Sequence, residues 1–154
     1  MTLCPQRTFL PFTPFDKAVD RVSINPSFQA FEKFVSGMYL GEIVRNILIA
    51  LIDAAPKSVL FGGKTTPTIN KHYGVDTSLL SIVEEAWNGN GEIGPVIHFS
   101  KFDPEALGPL VKSRLEKVRQ VIVAQLGFHD FEVSLRDAEV ICHCRGLTFC
   151  FGYL

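Results

Sequence analysis

No stretch of this chain is apolar enough, for long enough, to cross a bilayer. The most apolar run, residues 43–55, is interrupted by Arg45, Asn46 and Asp53, which excludes a membrane-spanning helix. An excess of charge of one sign is also lacking: 15 basic side chains stand against 16 acidic ones, for a formal net charge of -1. With a pI near 6.4, the chain has no global attraction to polyanions, so neither nucleic acid nor a membrane surface is expected as a partner. Cysteine is scarce and badly spread for stapling, at positions 4, 142, 144 and 150, so no disulfide framework of the secreted type is present and a reduced compartment is expected. Residues 1–7 carry no basic region ahead of an apolar run and a small-residue cleavage site, so no signal peptide is read and the expected location is cytoplasmic.

What is present is apolar mass. Hydrophobic residues make up 47% of 154 positions, with 13 phenylalanines and only 20% charged residues. That is enough for the core of one domain, and it leaves apolar surface over for a partner or for self-association. Pro5, Pro11, Pro14 and Pro26 imply an irregular or extended arm over residues 1–25. Asn25-Pro26 reads as a helix start, since Asn caps free amides and Pro suits the first helical position. Phe28, Phe31, Phe34 and Val35 then recur at helical spacing and read as core. A break is expected near Gly37, where glycine costs about 1 kcal/mol against alanine. A second helix follows from Met38 to about Ala54, with Leu40, Ile43, Val44, Ile47, Leu48 and Leu51 on its apolar face and Pro56 as its stop.

Further caps are read at Thr65-Thr66-Pro67, Asp76-Thr77, Asp103-Pro104-Glu105 and Ser134-Leu135-Arg136-Asp137, with Gly89-Asn90-Gly91 as a loop and Gly127 as a helix stop. The helix ending at Gly127 bears Lys112, Arg114, Lys117 and Arg119, read as a solvated face because no aromatics are interleaved among them. Residues from Cys142 onward lose both helical and strand periodicity. The fold class is therefore mainly α, with five or six helices after the arm.

Searches for chemistry from spacing alone return little. Phe61-Gly62-Gly63-Lys64-Thr65-Thr66 imitates half of a phosphate loop but lacks the upstream glycine, and reads as a turn. Cys142-His143-Cys144 with Cys150 supplies thiolate and imidazole, yet consecutive residues converge poorly on one tetrahedral ion, so no metal site is assigned. His72, His98 and His129 stand apart from any acid or nucleophile. Asp16, Asp20 and Asp53 fit caps and helix ends.

The segment Asn25-Pro26-Ser27-Phe28-Gln29-Ala30-Phe31-Glu32-Lys33-Phe34-Val35-Ser36-Gly37-Met38-Tyr39-Leu40-Gly41-Glu42-Ile43-Val44-Arg45 changes the assessment. It resembles, without gaps, the hexokinase and glucokinase family segment in which an Asn-Pro turn leads to Glu-Lys, then Ser-Gly-Met-Tyr-Leu-Gly-Glu and Arg. Leu10-Pro11-Phe12-Thr13-Pro14-Phe15-Asp16, Asp20-Arg21, Val75-Asp76-Thr77-Ser78 and Val133-Ser134-Leu135-Arg136-Asp137 also resemble family stretches, with the fungal glucokinase-like branch nearest.

The resemblance implies residues 9–140 as a piece of the large lobe of the α/β actin-like hexokinase fold, after an arm over 1–8 and before a divergent tail over 141–154. It implies an ATP-dependent phosphotransferase acting on a hexose such as glucose in glycolysis, with ATP and Mg as cofactors. It assigns Gln29 and Glu32 to the sugar hydroxyls, chemistry that suits an amide and a carboxylate at roughly 1.5–3 kcal/mol for each charge-assisted bond. Residues 36–42 read as packing and backbone geometry. The family's phosphate loop, catalytic aspartate and adenosine-side glycine motifs are not found, so the chain is expected to be inactive alone, needing a complementary kinase lobe. The other reading is a non-catalytic sugar-binding or interaction fragment.

Overall fold

The structure is a computed structural model that describes residues 13–29, 32–33, 36–89 and 107–152, with residues 144–152 described by backbone alone. Among them are six α-helices and two 3-10 turns, and no strand. The mainly α expectation therefore holds.

The first helix, α1 (Pro14–Val22), corrects the reading of residues 1–25 as an extended arm. Thr13 stands at its N-cap, Pro14 opens it, and Asp16 closes a capping box through the Thr13 N–H at 2.8 Å. Pro14 does no harm there, because the first helical N–H has no intrahelical partner to lose.

The main helix, α2 (Gly37–Ile52), starts after Ser36 and stops at Asp53, close to the expected bounds. It buries Val44, Leu48 and Ile52 in the common core. Beyond it, the Phe61–Gly63 3-10 turn leads to α3 (Pro67–Asn70), whose N-cap is Thr66. Helix α4 (Ser78–Asn88) follows, with the Asp76 carboxylate accepting the Ser78 N–H at 2.8 Å. Helix α5 (Pro109–Leu126) ends at Gly127, whose φ of 75° is the left-handed cap that glycine tolerates. The Asp130–Glu132 3-10 turn then leads to α6 (Leu135–Gly152).

The core forms where α4, α5 and α6 meet, with α2 and the 60–61 segment closing it. Helix α1 packs on the flank of α2. Two further expectations change. The backbone beyond Cys142 stays helical through Gly152 although its sequence shows no amphipathic period. The basic residues of α5 are not all solvated: Arg119 binds Glu116 at 2.6 Å and the Asp130 carboxylate at 3.0 Å, and Arg114 donates to the Trp87 carbonyl at 3.1 Å. The cap at residues 103–105 lies outside the described residues.

Candidate functional site

Asn25-Pro26 does not begin a helix. The Phe28 N–H donates to the Asn25 carbonyl at 3.2 Å, closing a turn with Pro26 in second place and Ser27, at φ 70°, in third. A positive φ at the third position marks a type II turn, which usually places glycine or asparagine there. Gln29 is left-handed as well, at φ 53°, and each such non-glycine residue costs on the order of 1 kcal/mol. Helical hydrogen bonding starts only after Gln29, with Lys33 N–H on the Gln29 carbonyl at 3.2 Å and Ser36 N–H on the Glu32 carbonyl at 2.9 Å. Phe28 precedes that helical stretch and is 71% exposed, so it is not core; Phe31, Phe34 and Val35 lie outside the described residues.

Gln29 and Glu32, the residues assigned to sugar hydroxyls, are both exposed. Gln29 opens the helical turn and Glu32 sits in it, so an amide and a carboxylate are offered to solvent three residues apart. Beneath them Lys33 is buried. Its ammonium donates to Asp20 Oδ1 at 2.8 Å and to the Asn25 carbonyl at 2.5 Å, while Asp20 accepts the Ser27 N–H at 3.1 Å. The arrangement leaves an amide, which donates and accepts hydrogen bonds, and a carboxylate, which accepts them, at the surface.

A second polar centre lies inside α2. Glu42 is fully buried, and its carboxylate receives Arg45 Nε at 2.9 Å, Arg45 Nη2 at 2.6 Å and the Tyr73 N–H at 2.7 Å. His72 Nδ1 stands 3.2 Å from the same carboxylate, and Arg45 Nη1 donates to the Ile69 carbonyl at 2.9 Å. Burial pushes the Glu42 carboxyl up, but the Arg45 guanidinium and the Tyr73 N–H outweigh it and hold it below the usual carboxylate range. The network ties α2 to the segment 69–73. The Thr77 hydroxyl, donating to the Gly37 carbonyl, adds a second tie. The sequence pattern reads Glu42, within residues 36–42, as packing, and Arg45 as a charge that interrupts an apolar run. The available signal was an acid and a base three apart on an otherwise apolar face, which must pair if buried.

The remaining motifs separate from this region. Phe61-Gly62-Gly63 is a turn, and Lys64 after it pairs with Glu132 at 3.0 Å. Cys142 is buried at the start of the tail. Among the described residues no three His, Cys, Asp or Glu side chains converge as metal ligands, and no helix is long and apolar enough to cross a membrane.

Comparison with known proteins finds hexokinases. Human Hexokinase-2 is 49% identical over 72 residues, covering 47% of this chain and 8% of its own length. Human Hexokinase-1 is 46% identical over 77 residues, covering 50% and 8%, and rice Hexokinase-2 is 42% identical over 74 residues, covering 48% and 14%. The chain thus spans a small part of the relatives that it matches. The family model described as "Hexokinase" matches residues 4–141, and on that match the chain belongs to the hexokinase family.

Proposed function

We propose that this chain carries the hexose-contacting turn of a hexose kinase, with Gln29 and Glu32 meeting the hydroxyls of a sugar such as glucose. Residues 9–140 are the family domain and 141–154 a tail outside it, in a cytoplasmic protein. The observation that carries this reading is the exposed pair Gln29 and Glu32 on a turn braced by Asp20 and Lys33. A carboxylate and an amide so placed recognise hydroxyls through short, directional bonds and leave the reacting groups to be brought by other parts.

The family's ATP and Mg do not find a fitting set of groups among the described residues. The lysine beside the Gly62-Gly63 pair is engaged with Glu132, and no cluster of acidic ligands forms. No phosphoryl-transfer step is therefore routed through this chain alone, and we read it as inactive without a complementary lobe. A second reading, as a non-catalytic interaction fragment, is favoured by Val22, Ile24 and Phe28, which are 53%, 92% and 71% exposed beside the same turn.

Calorimetry of the purified chain with glucose tests the first reading. Glu32→Gln should weaken binding about tenfold or more, as expected for losing a charge-assisted bond; unchanged affinity would remove Glu32 from the site. ATP-dependent glucose phosphorylation by the chain alone, abolished by Glu32→Gln, would overturn the inactivity.

A further inference from the structure

We propose that the buried pair Asp20 and Lys33 is a positioning device for the turn that presents Gln29 and Glu32, an inference that rests on the hexose-contacting role of those two residues. Among the described residues the turn is held by few backbone bonds. Asn25 to Phe28 is closed by one at 3.2 Å, and two of its neighbouring positions, Ser27 and Gln29, are left-handed without being glycine. Such conformations persist only where the surroundings over-determine them.

Asp20 and Lys33 supply that. Both oxygens of Asp20 accept the Ser27 N–H at 3.1 Å, fixing the first left-handed residue. Lys33 Nζ bridges Asp20 Oδ1 and the Asn25 carbonyl, fixing the turn's first residue. The two side chains are only 12% and 10% exposed, so solvent screens the pair weakly.

Neither charge suits its own helix. Asp20 lies near the C-terminal end of α1 (Pro14–Val22), where the backbone dipole disfavours an anion, and Lys33 lies in the first helical turn after Gln29, where it disfavours a cation. Each is placed well for the other and for the turn between them. Lys33 also directly follows Glu32, so the bond that buries its ammonium sets the register of the helical turn from which Glu32 projects. Asp20 and Lys33 touch no ligand; they act through the backbone of residues 25–29.

The test uses the full chain labelled with 15N, comparing Lys33→Met and the double variant Asp20→Asn with Lys33→Met, which removes both charges of the pair if the single variant fails to fold. Positioning predicts that the Ser27 amide exchanges about tenfold faster with solvent in the double variant. The Phe61 amide, held by Asp137 at 2.8 Å, keeps its protection and reports that the fold is intact. Glucose affinity should fall about tenfold alongside, as misplaced contacts do. If Glu32→Gln abolishes glucose binding while the double variant binds as the parent does, the positioning role is overturned and the sugar site stands. If the parent chain binds no glucose, the sugar reading fails. The Ser27 amide still decides then: unchanged protection in the double variant overturns the proposal, and selective loss sustains it.

Discussion

Arg45→Met should destabilise the chain by about 3–5 kcal/mol, the usual result of stripping a buried carboxylate of its cation. Glu42 is 0% exposed and takes two of its bonds from Arg45. Without the guanidinium it keeps the Tyr73 N–H and the outward-facing His72. The loss is a large share of the roughly 5–15 kcal/mol that holds a domain folded, so urea denaturation should show it as a clear drop in midpoint. Pairing Arg45→Met with Glu42→Gln should cost less than the sum of the two single changes, because the double variant leaves no charge stranded. An Arg45→Met midpoint equal to the parent's would mean that the network bears no weight.

The same carboxylate sets an acid dependence. Its folded pKa lies below the ordinary value of 4.5, so the unfolded chain takes up this proton at higher pH than the folded one does. Stability from Glu42 is therefore complete above that ordinary value and is lost as the pH falls through the lower, folded one. A series of unfolding curves at descending pH should show a steeper loss in the parent than in Glu42→Gln.

Gly41→Ala is the second large effect. A Cβ at Gly41 would stand 2.4 Å from the Val75 carbonyl oxygen and 3.3 Å from the Thr77 nitrogen. Both are backbone atoms, which cannot swing aside as a side-chain tip can. Alanine would favour the helix itself by about 1 kcal/mol, but forcing α2 (Gly37–Ile52) away from the segment 75–77 disrupts packing at about 1–3 kcal/mol or more. The close approach outweighs propensity, for an expected net loss of about 1–2 kcal/mol once the helix gain is subtracted. Gly37→Ala is the control, since its Cβ would meet only the Thr77 hydroxyl at 3.8 Å, and its melting temperature should stay near the parent's. A Gly41→Ala chain as stable as the parent would show that the two segments separate freely.

Helices α2 to α5 were legible because their ends carry local chemistry: Thr66 before Pro67, Asp76 before Ser78, and Gly127 after Leu126. Helix α1 was obscured by closely spaced prolines. The Thr13 and Asp16 capping box was present in the sequence, but proline in the first turn was taken for a breaker. Asn25-Pro26 fits a helix cap by local pattern, and Ser27 in place of the usual glycine or asparagine hides the type II turn. The choice is made by Asp20, seven residues before Ser27, and no local period carries that contact. Gln29 and Glu32 were found through family resemblance alone; as residues, they read as the exposed side of a helix.

The segment around Phe61 takes several of its anchors from residues far along the chain. Its N–H binds Asp137, 76 positions away; the Thr66 hydroxyl binds the Leu126 carbonyl, 60 away; and Lys64 reaches Glu132, 68 away. Contacts across such separations demand loop-closure entropy before they return anything. During synthesis, residues 60–66 are made long before these distant partners exist, and Phe61 at φ 52° then lacks the Asp137 carboxylate that accepts its N–H. Helices α4 and α5 can pack as neighbours first, while the strap over the core waits for α6. Its distant bonds can form only once residues 126–137 have been made.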